Sequence, residues 1–188
     1  APDSQSYLNP MDLDLSTDVG ESPMLMQADF LLSQCELMMA SYGNPLMPIE
    51  KSLIDRCISL VYRDYLKRPT PENMPILGDL YQCLRAQDNH TADDLATAME
   101  IYVTGSLSYL NHRTNVDLNN RLVCYNTSKM GQGLKKLVMA NVQKHIWQRT
   151  TINRYAGVTT RIFLDEFHML LKEPQTAAYT AEIYKRFR

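Results

Sequence analysis

The chain has 188 residues, 45% of them hydrophobic, and a formal net charge of -2. That length holds one domain, or a domain with a substantial insertion, and the apolar fraction is enough to bury a core. The near-neutral balance lacks the basic footprint of a nucleic-acid binder. No apolar run approaches the roughly 18 residues of a membrane span, and nothing reads as a secretory signal.

Residues 1–23 are polar and punctuated by Pro2, Pro10, Gly20 and Pro23, which predicts extended or irregular structure around a short apolar patch at Tyr7–Leu13. Met26, Phe30, Leu31, Cys35, Met38 and Met39 then recur at helical spacing, and Gly43-Asn44-Pro45 ends that helix. Pro48 stands where a helix's first turn tolerates proline. Ile49, Leu53, Cys57, Leu60 and Val61 form the next apolar face, which Ile54, Ile58 and Tyr65 widen, until Pro69 and Pro71 stop it. A third helix opens at Pro75 with Leu77, Leu80, Tyr81 and Leu84 on one face. A fourth starts near Thr91, where Asp94 three positions on resembles a capping box, and carries Leu95, Met99 and Tyr102. Residues 24–104 therefore read as a four-helix unit with short connections.

The pattern changes after Gly105. Residues 105–120 are polar and Asn-rich, predicting a loop. Arg121–Asn126 is a short apolar run bounded by polar residues and predicts a strand. Gly131 and Gly133 lead into a long helix to about Tyr155, with Leu134, Leu137, Val138, Val142, His145, Ile146 and Ile152 on its face and Gly157 at its end. A second strand at 160–165 and a final helix from about Gln175 complete a strand-helix-strand-helix order. That order implies a parallel pair with a right-handed crossover, and ligands in such sheets bind beyond the carboxyl ends of the strands.

Asp165 and Glu166 fall at such an end, directly after Ile162-Phe163-Leu164. The pair must reach solvent, a cation or partners, because carboxylates cannot be buried unpaired. Phosphoryl transfer needs one carboxylate near Mg²⁺ and another group to orient water, and adjacent acids suit both tasks. The plain alternative is an apolar run that meets two acids by chance. The other polar groups give less. His90, His112, His145 and His168 have no metal-ligand spacing; His145 reads as a core histidine and His168 lies close to the acids. Gly131-Gln132-Gly133-Leu134-Lys135-Lys136 lacks the spacing and the Ser or Thr of a phosphate loop, and reads as a helix entry with solvent-facing lysines. Lys185, Arg186 and Arg188 suit a helix C-terminus, with an arginine finger for a neighbouring subunit as the sharper alternative. The methionines of the helical unit read as core packing. Cys35, Cys57, Cys83 and Cys124 form no C-x-x-C pair and read as free thiols. Ala1-Pro2-Asp3-Ser4 and the abrupt finish at Arg188 predict a piece excised from a larger protein.

Thr160–Leu171, with its Asp165-Glu166 pair, resembles the Walker B segment of conjugative-transfer ATPases of type IV secretion systems, the TrbE/VirB-type family. Other segments agree in order. Asn9-Pro10-Met11-Asp12-Leu13 resembles the family's N-P-x-D segment, and Met74–Tyr81 resembles a helix start in its helical insertion. Thr114-Asn115-Val116-Asp117 with the run at 121–126 fits the segment leading back into the motor core, and Ala178–Arg188 resembles a helix running toward an arginine-bearing segment.

The resemblance spans nearly the whole chain. It implies a mainly α fold with a small α/β part: an extended segment at 1–15, an all-helical insertion at 16–104 and a partial RecA-like P-loop ATPase core at 105–188. It further implies ATP hydrolysis driving DNA or protein transfer, or machine assembly, in the intact protein. Asp165 would hold the Mg²⁺ and cofactor shell, Glu166 would be the catalytic carboxylate, and Arg186 or Arg188 would approach the arginine-finger segment. Implied partners are other secretion or conjugation proteins, further copies of the motor in an oligomer, and DNA, at the cytoplasmic, inner face of the membrane. No Walker A loop occurs in these 188 residues, so the expectation is that the chain by itself neither binds ATP tightly nor hydrolyses it. The rival expectations are a non-enzymatic helical module that docks other transfer proteins, and a related DNA translocase or coupling ATPase.

Overall fold

A computed structural model describes residues 5–15, 22–39, 45–128, 130–165, 177, 180 and 181. The chain divides into two compact units, Ala1–Cys124 and Tyr125–Arg188.

The first unit is built on α1 (Pro23–Met39), α2 (Pro48–Val61), the short α3 (Arg63–Lys67), α4 (Leu77–Arg85) and α5 (His90–Val103), with single 3₁₀ turns at Pro71–Asn73 and Ser108–Leu110. Pro48 takes the first position of α2, where its missing N–H costs nothing. The Glu50 carboxylate reaches back to accept from the Met47 N–H at 2.6 Å, and Asp79 does the same for Ile76 at the start of α4, at 2.7 Å. The third helix thus opens two residues after Pro75. The fourth is capped by Asn89, whose side chain accepts from the Ala92 N–H at 3.2 Å, two residues before the expected Thr91. Asn is among the strongest caps, and it meets the free donors of the first turn directly.

The helices pack α4 on α5 and α2, and α1 on α2 and α5. Their core is Phe30, Leu31, Cys35 and Met38 from α1, Leu53, Ile54, Cys57 and Ile58 from α2, Leu77, Leu80 and Leu84 from α4, and Leu95, Ala96 and Met99 from α5. Ile49, expected on the inner face of α2, is exposed. The buried stripe runs through two adjacent rows instead, the broad face of a helix packed on more than one neighbour. Arg85 bridges the outer surfaces of α4 and α5 through Asp93 at 3.5 Å and Glu100 at 3.6 Å, exposed pairs that add little stability.

The second unit centres on α6 (Gln132–Tyr155). Residues 140–144 are buried in five consecutive positions, so this part of the helix is enclosed on every side, polar Asn141, Gln143 and Lys144 included. The Gln143 amide donates to the Thr180 hydroxyl at 2.8 Å. Gly157 ends α6 in the left-handed conformation, φ 69°. Its N–H bonds the Arg154 carbonyl at 3.1 Å, and the Val158 N–H bonds that of Asn153 at 2.7 Å. Together they are the two bonds of a Schellman stop, which glycine enters without a Cβ penalty.

The strands expected at 121–126 and 160–165 do not form, and there is no strand among the described residues. A strand exists only by pairing its backbone with a neighbour, and neither segment has taken up strand structure. Leu122 and Phe163 are 87% and 90% exposed, so their apolar side chains are not taken into a core either. The described residues are therefore mainly helical, and neither of the two expected strands is formed among them.

Candidate functional site

The acidic segment leaves α6 through the Gly157 turn. The Asn153 amide donates to the Thr160 hydroxyl at 2.8 Å, fixing the direction of departure. From Arg161 to Asp165 every residue is exposed, and Asp165 lies in a turn. Its carboxylate is therefore presented to solvent at the end of an apolar segment. Glu166, His168, Arg186 and Arg188 lie outside the described residues. Among the described residues no group of three or more His, Cys, Asp or Glu side chains could hold a metal ion. Mg²⁺ asks for less, because it keeps several waters and binds through one or two carboxylates together with nucleotide phosphates. An exposed acid such as Asp165 fits that demand.

Among the described residues His145 belongs to no metal-binding group. Its ring Nε2 is enclosed and has no described hydrogen-bond partner. Burial, reinforced by the charge of Lys144, lowers its pKa to about 3. An unfolded chain would bind a proton there near pH 6.5, whereas the folded chain does not until about pH 3. Stability is therefore lost as pH falls through that window, by about 1–2 kcal/mol between pH 7 and 5. Urea midpoints at the two pH values should drop further in the unaltered chain than in His145→Gln; equal drops would show that the imidazole is not held neutral.

The best-built polar cluster lies in the first unit, and it joins two segments read as separate motifs. Asn9 is fully buried. Its amide donates to the Pro75 carbonyl at 2.8 Å, and its side-chain oxygen accepts from the Met11 N–H at 3.1 Å. Its own N–H donates to the Thr114 hydroxyl at 2.8 Å, and that hydroxyl donates to Asp12. Tyr62 donates to the Met11 carbonyl, Tyr65 to that of Leu13 at 3.0 Å. The Gln27 amide is shared between the Pro10 carbonyl at 3.0 Å and the Tyr62 oxygen at 2.8 Å. Burial pushes the Tyr62 phenol far up, while the Gln27 bond lowers it and the Asp12 charge raises it, so it stays a neutral donor. Outside this cluster, Asn115 pairs with the Tyr7 backbone in both directions, and the Tyr7 ring stacks on His112 at 4.0 Å. The irregular segment expected at the chain's start is thus an inner strut, contributing Leu8, Met11 and Leu13 to the core. Its local sequence carries no sign of this, since its partners from other elements lie 17 to 110 residues away.

No protein-family model matches the chain, and no curated protein does. Among solved structures, VirB4 of Thermoanaerobacter pseudethanolicus is similar over 97% of this chain, with a TM-score of 0.80 and 21% sequence identity. The alignment covers 51% of that structure, so the chain spans about half its length. At this identity the likeness establishes the fold, which is that of a segment of VirB4.

Proposed function

We propose that this chain is part of the motor ATPase of a type IV secretion system, in which ATP hydrolysis drives conjugative transfer of DNA or protein, or assembly of the machine. The likeness to VirB4 along nearly the whole chain is the observation that carries this reading. The exposed acidic turn at Asp165 adds a chemical reason. In the whole protein Asp165 would hold Mg²⁺ and Glu166 would orient the attacking water. Mg²⁺ would supply charge neutralisation at the nucleotide phosphates. Arg186 and Arg188 are candidates for the arginine that a subunit offers its neighbour.

The exposed runs around Leu122 and Ile162–Leu164 fit the same picture. In a RecA-like core they would become strands by pairing with neighbours from the other half of a VirB4-length protein. The motor would work as an oligomer at the cytoplasmic face of the membrane, with other secretion proteins as partners. Among the described residues no helix is long and apolar enough to cross a membrane.

Nucleotide binding tests the proposal. A longer protein that adds a G-x-x-x-x-G-K-[ST] loop to these residues should bind ATP with Mg²⁺ at micromolar concentration, and the 188-residue chain should not. Micromolar binding by the chain itself would overturn the division of the site between two segments. Absence of such a loop from the gene would leave the helical docking module as the better reading. Hydrolysis that rises on adding DNA would favour a DNA translocase.

A further inference from the structure

The helical unit carries its surface charge unevenly. Ser52, Arg56, Ser59, Arg63, Leu66 and Lys67 are all exposed and follow the three- and four-residue spacing of one helix face. Tyr62 keeps right-handed helical dihedrals between α2 and α3, and the Leu66 N–H bonds its carbonyl at 2.9 Å, so the face runs on from one helix into the other. Arg68 extends it. These cations outnumber the bordering acids Asp55 and Asp64, of which Asp64 pairs with Lys67 at 3.5 Å. The outer face of α5 has the opposite sign. It presents Asp93, Asp94, Thr97, Glu100 and Ile101, away from the buried Leu95, Ala96 and Met99. Arg85 offsets part of that charge through Asp93 and Glu100. Among the described residues Arg56, Arg63, Arg68 and Asp94 have no ion pair, and none joins the two stripes, so they do not neutralise each other within one copy. Each stripe also exposes a large apolar side chain, Leu66 on the basic one and Ile101 on the acidic one, both 45% exposed.

We propose that the two stripes are the halves of one interface between copies of this chain, the basic face of α2 and α3 on one copy docking on the acidic face of α5 on the next. Charge complementarity selects this occupant. The stripes also match in length, roughly 16 Å from Arg56 to Lys67 and roughly 12 Å from Asp93 to Ile101 at 1.5 Å per residue. A nucleic acid or an anionic bilayer would satisfy the basic stripe alone and would meet like charge at the acidic one. Opposed charges steer the approach and fix the register, and Leu66 and Ile101 leave water as the stripes close. Exposed ion pairs are individually weak, so the contact is salt-sensitive and depends on its repetition. The two halves differ, which makes the contact heterologous: a pair of copies still offers one stripe of each sign, and repetition closes a ring or extends a filament. The proposal deepens the oligomeric motor reading and rests on it for its biological role alone.

The test uses the 188-residue chain without nucleotide, so its failure leaves the ATP-binding test of the motor reading standing, and the reverse. Sedimentation equilibrium up to millimolar protein should show self-association at about 0.01 M salt, weakened about tenfold or more at about 1 M, where charges are screened within about 3 Å. Two neutralised chains, Arg56→Gln with Arg63→Gln and Asp94→Asn with Glu100→Gln, change exposed side chains only, and helical circular dichroism confirms that each folds. Each by itself should stay monomeric. Mixed in equal amounts they should form a pair and nothing larger, because the first keeps the acidic stripe and the second the basic one. A monomeric unaltered chain at low salt would overturn the proposal, and so would self-association that both neutralised chains retain or a mixture that does not pair. Capture of the monomeric chain by phosphatidylglycerol vesicles, lost in Arg56→Gln with Arg63→Gln, would assign the basic stripe to a lipid surface instead.

Discussion

Glu166→Gln, placed in a protein that carries these residues together with a phosphate loop, should lower ATP hydrolysis about 100-fold or more while leaving ATP binding close to normal. A positioned acid-base group is worth about 10²–10⁴ in rate. Glutamine keeps the size and polarity of the side chain but cannot accept a proton from the attacking water. Asp165→Asn should behave differently. It removes charge at the proposed Mg²⁺ position, so the Mg²⁺ dependence of binding and turnover should shift to higher concentration. The contrast distinguishes the two acids: a loss in rate at one, a loss in metal affinity at its neighbour. Steady-state hydrolysis and equilibrium nucleotide binding, measured over a Mg²⁺ titration, read both. Unchanged turnover in Glu166→Gln would remove that residue from the chemistry, even if the protein proved to be an ATPase.

How much of this was legible in the residues depended on how far away each residue's partners lie. Pro48 and Gly157 place a helix start and a helix stop correctly because proline and glycine act through their own backbone. Asn89 against Thr91 is a two-residue miss of the same local kind, since both residue types can cap and only the backbone decides between them. The apolar runs at 121–126 and 160–165 have the composition of buried strands. Composition, however, cannot say whether a pairing edge is within reach, and Phe163 stands exposed. The acidic turn was legible as a place where carboxylates must meet solvent, and Asp165 does so. The strut at 5–15 was the least legible part. Nothing in Asn9-Pro10-Met11-Asp12 announces that a tyrosine on α2's end, a glutamine on α1 and a threonine beyond α5 will each spend a hydrogen bond on it.

That strut should dominate the stability of the first unit. Asn9→Ala leaves two buried backbone groups, the Met11 N–H and the Pro75 carbonyl, without the partners they now have. Each such group costs about 1–3 kcal/mol, so a loss of about 3 kcal/mol is expected. Tyr62→Phe should cost less, about 2 kcal/mol, because the Gln27 amide keeps its bond to the Pro10 carbonyl when the phenol oxygen is gone. Tyr65→Phe removes a single bond to the Leu13 carbonyl and should cost about 1 kcal/mol. Urea unfolding followed by helical circular dichroism gives the three values. Asn9→Ala and Tyr62→Phe act on one strand of backbone around Met11, so their effects should not add. A change below about 0.5 kcal/mol for Asn9→Ala, the range of an ordinary surface substitution, would mean that the helices close their own core. The burial of Leu8, Met11 and Leu13 argues against that, because three core side chains leave with the strut if its hydrogen bonds fail. The same tie brings residues 9–12 against Thr114, across 105 positions of sequence. The helical unit is therefore closed at its neck by the two segments that flank it, and the stability of α1 to α5 is inseparable from the chain that enters and leaves them.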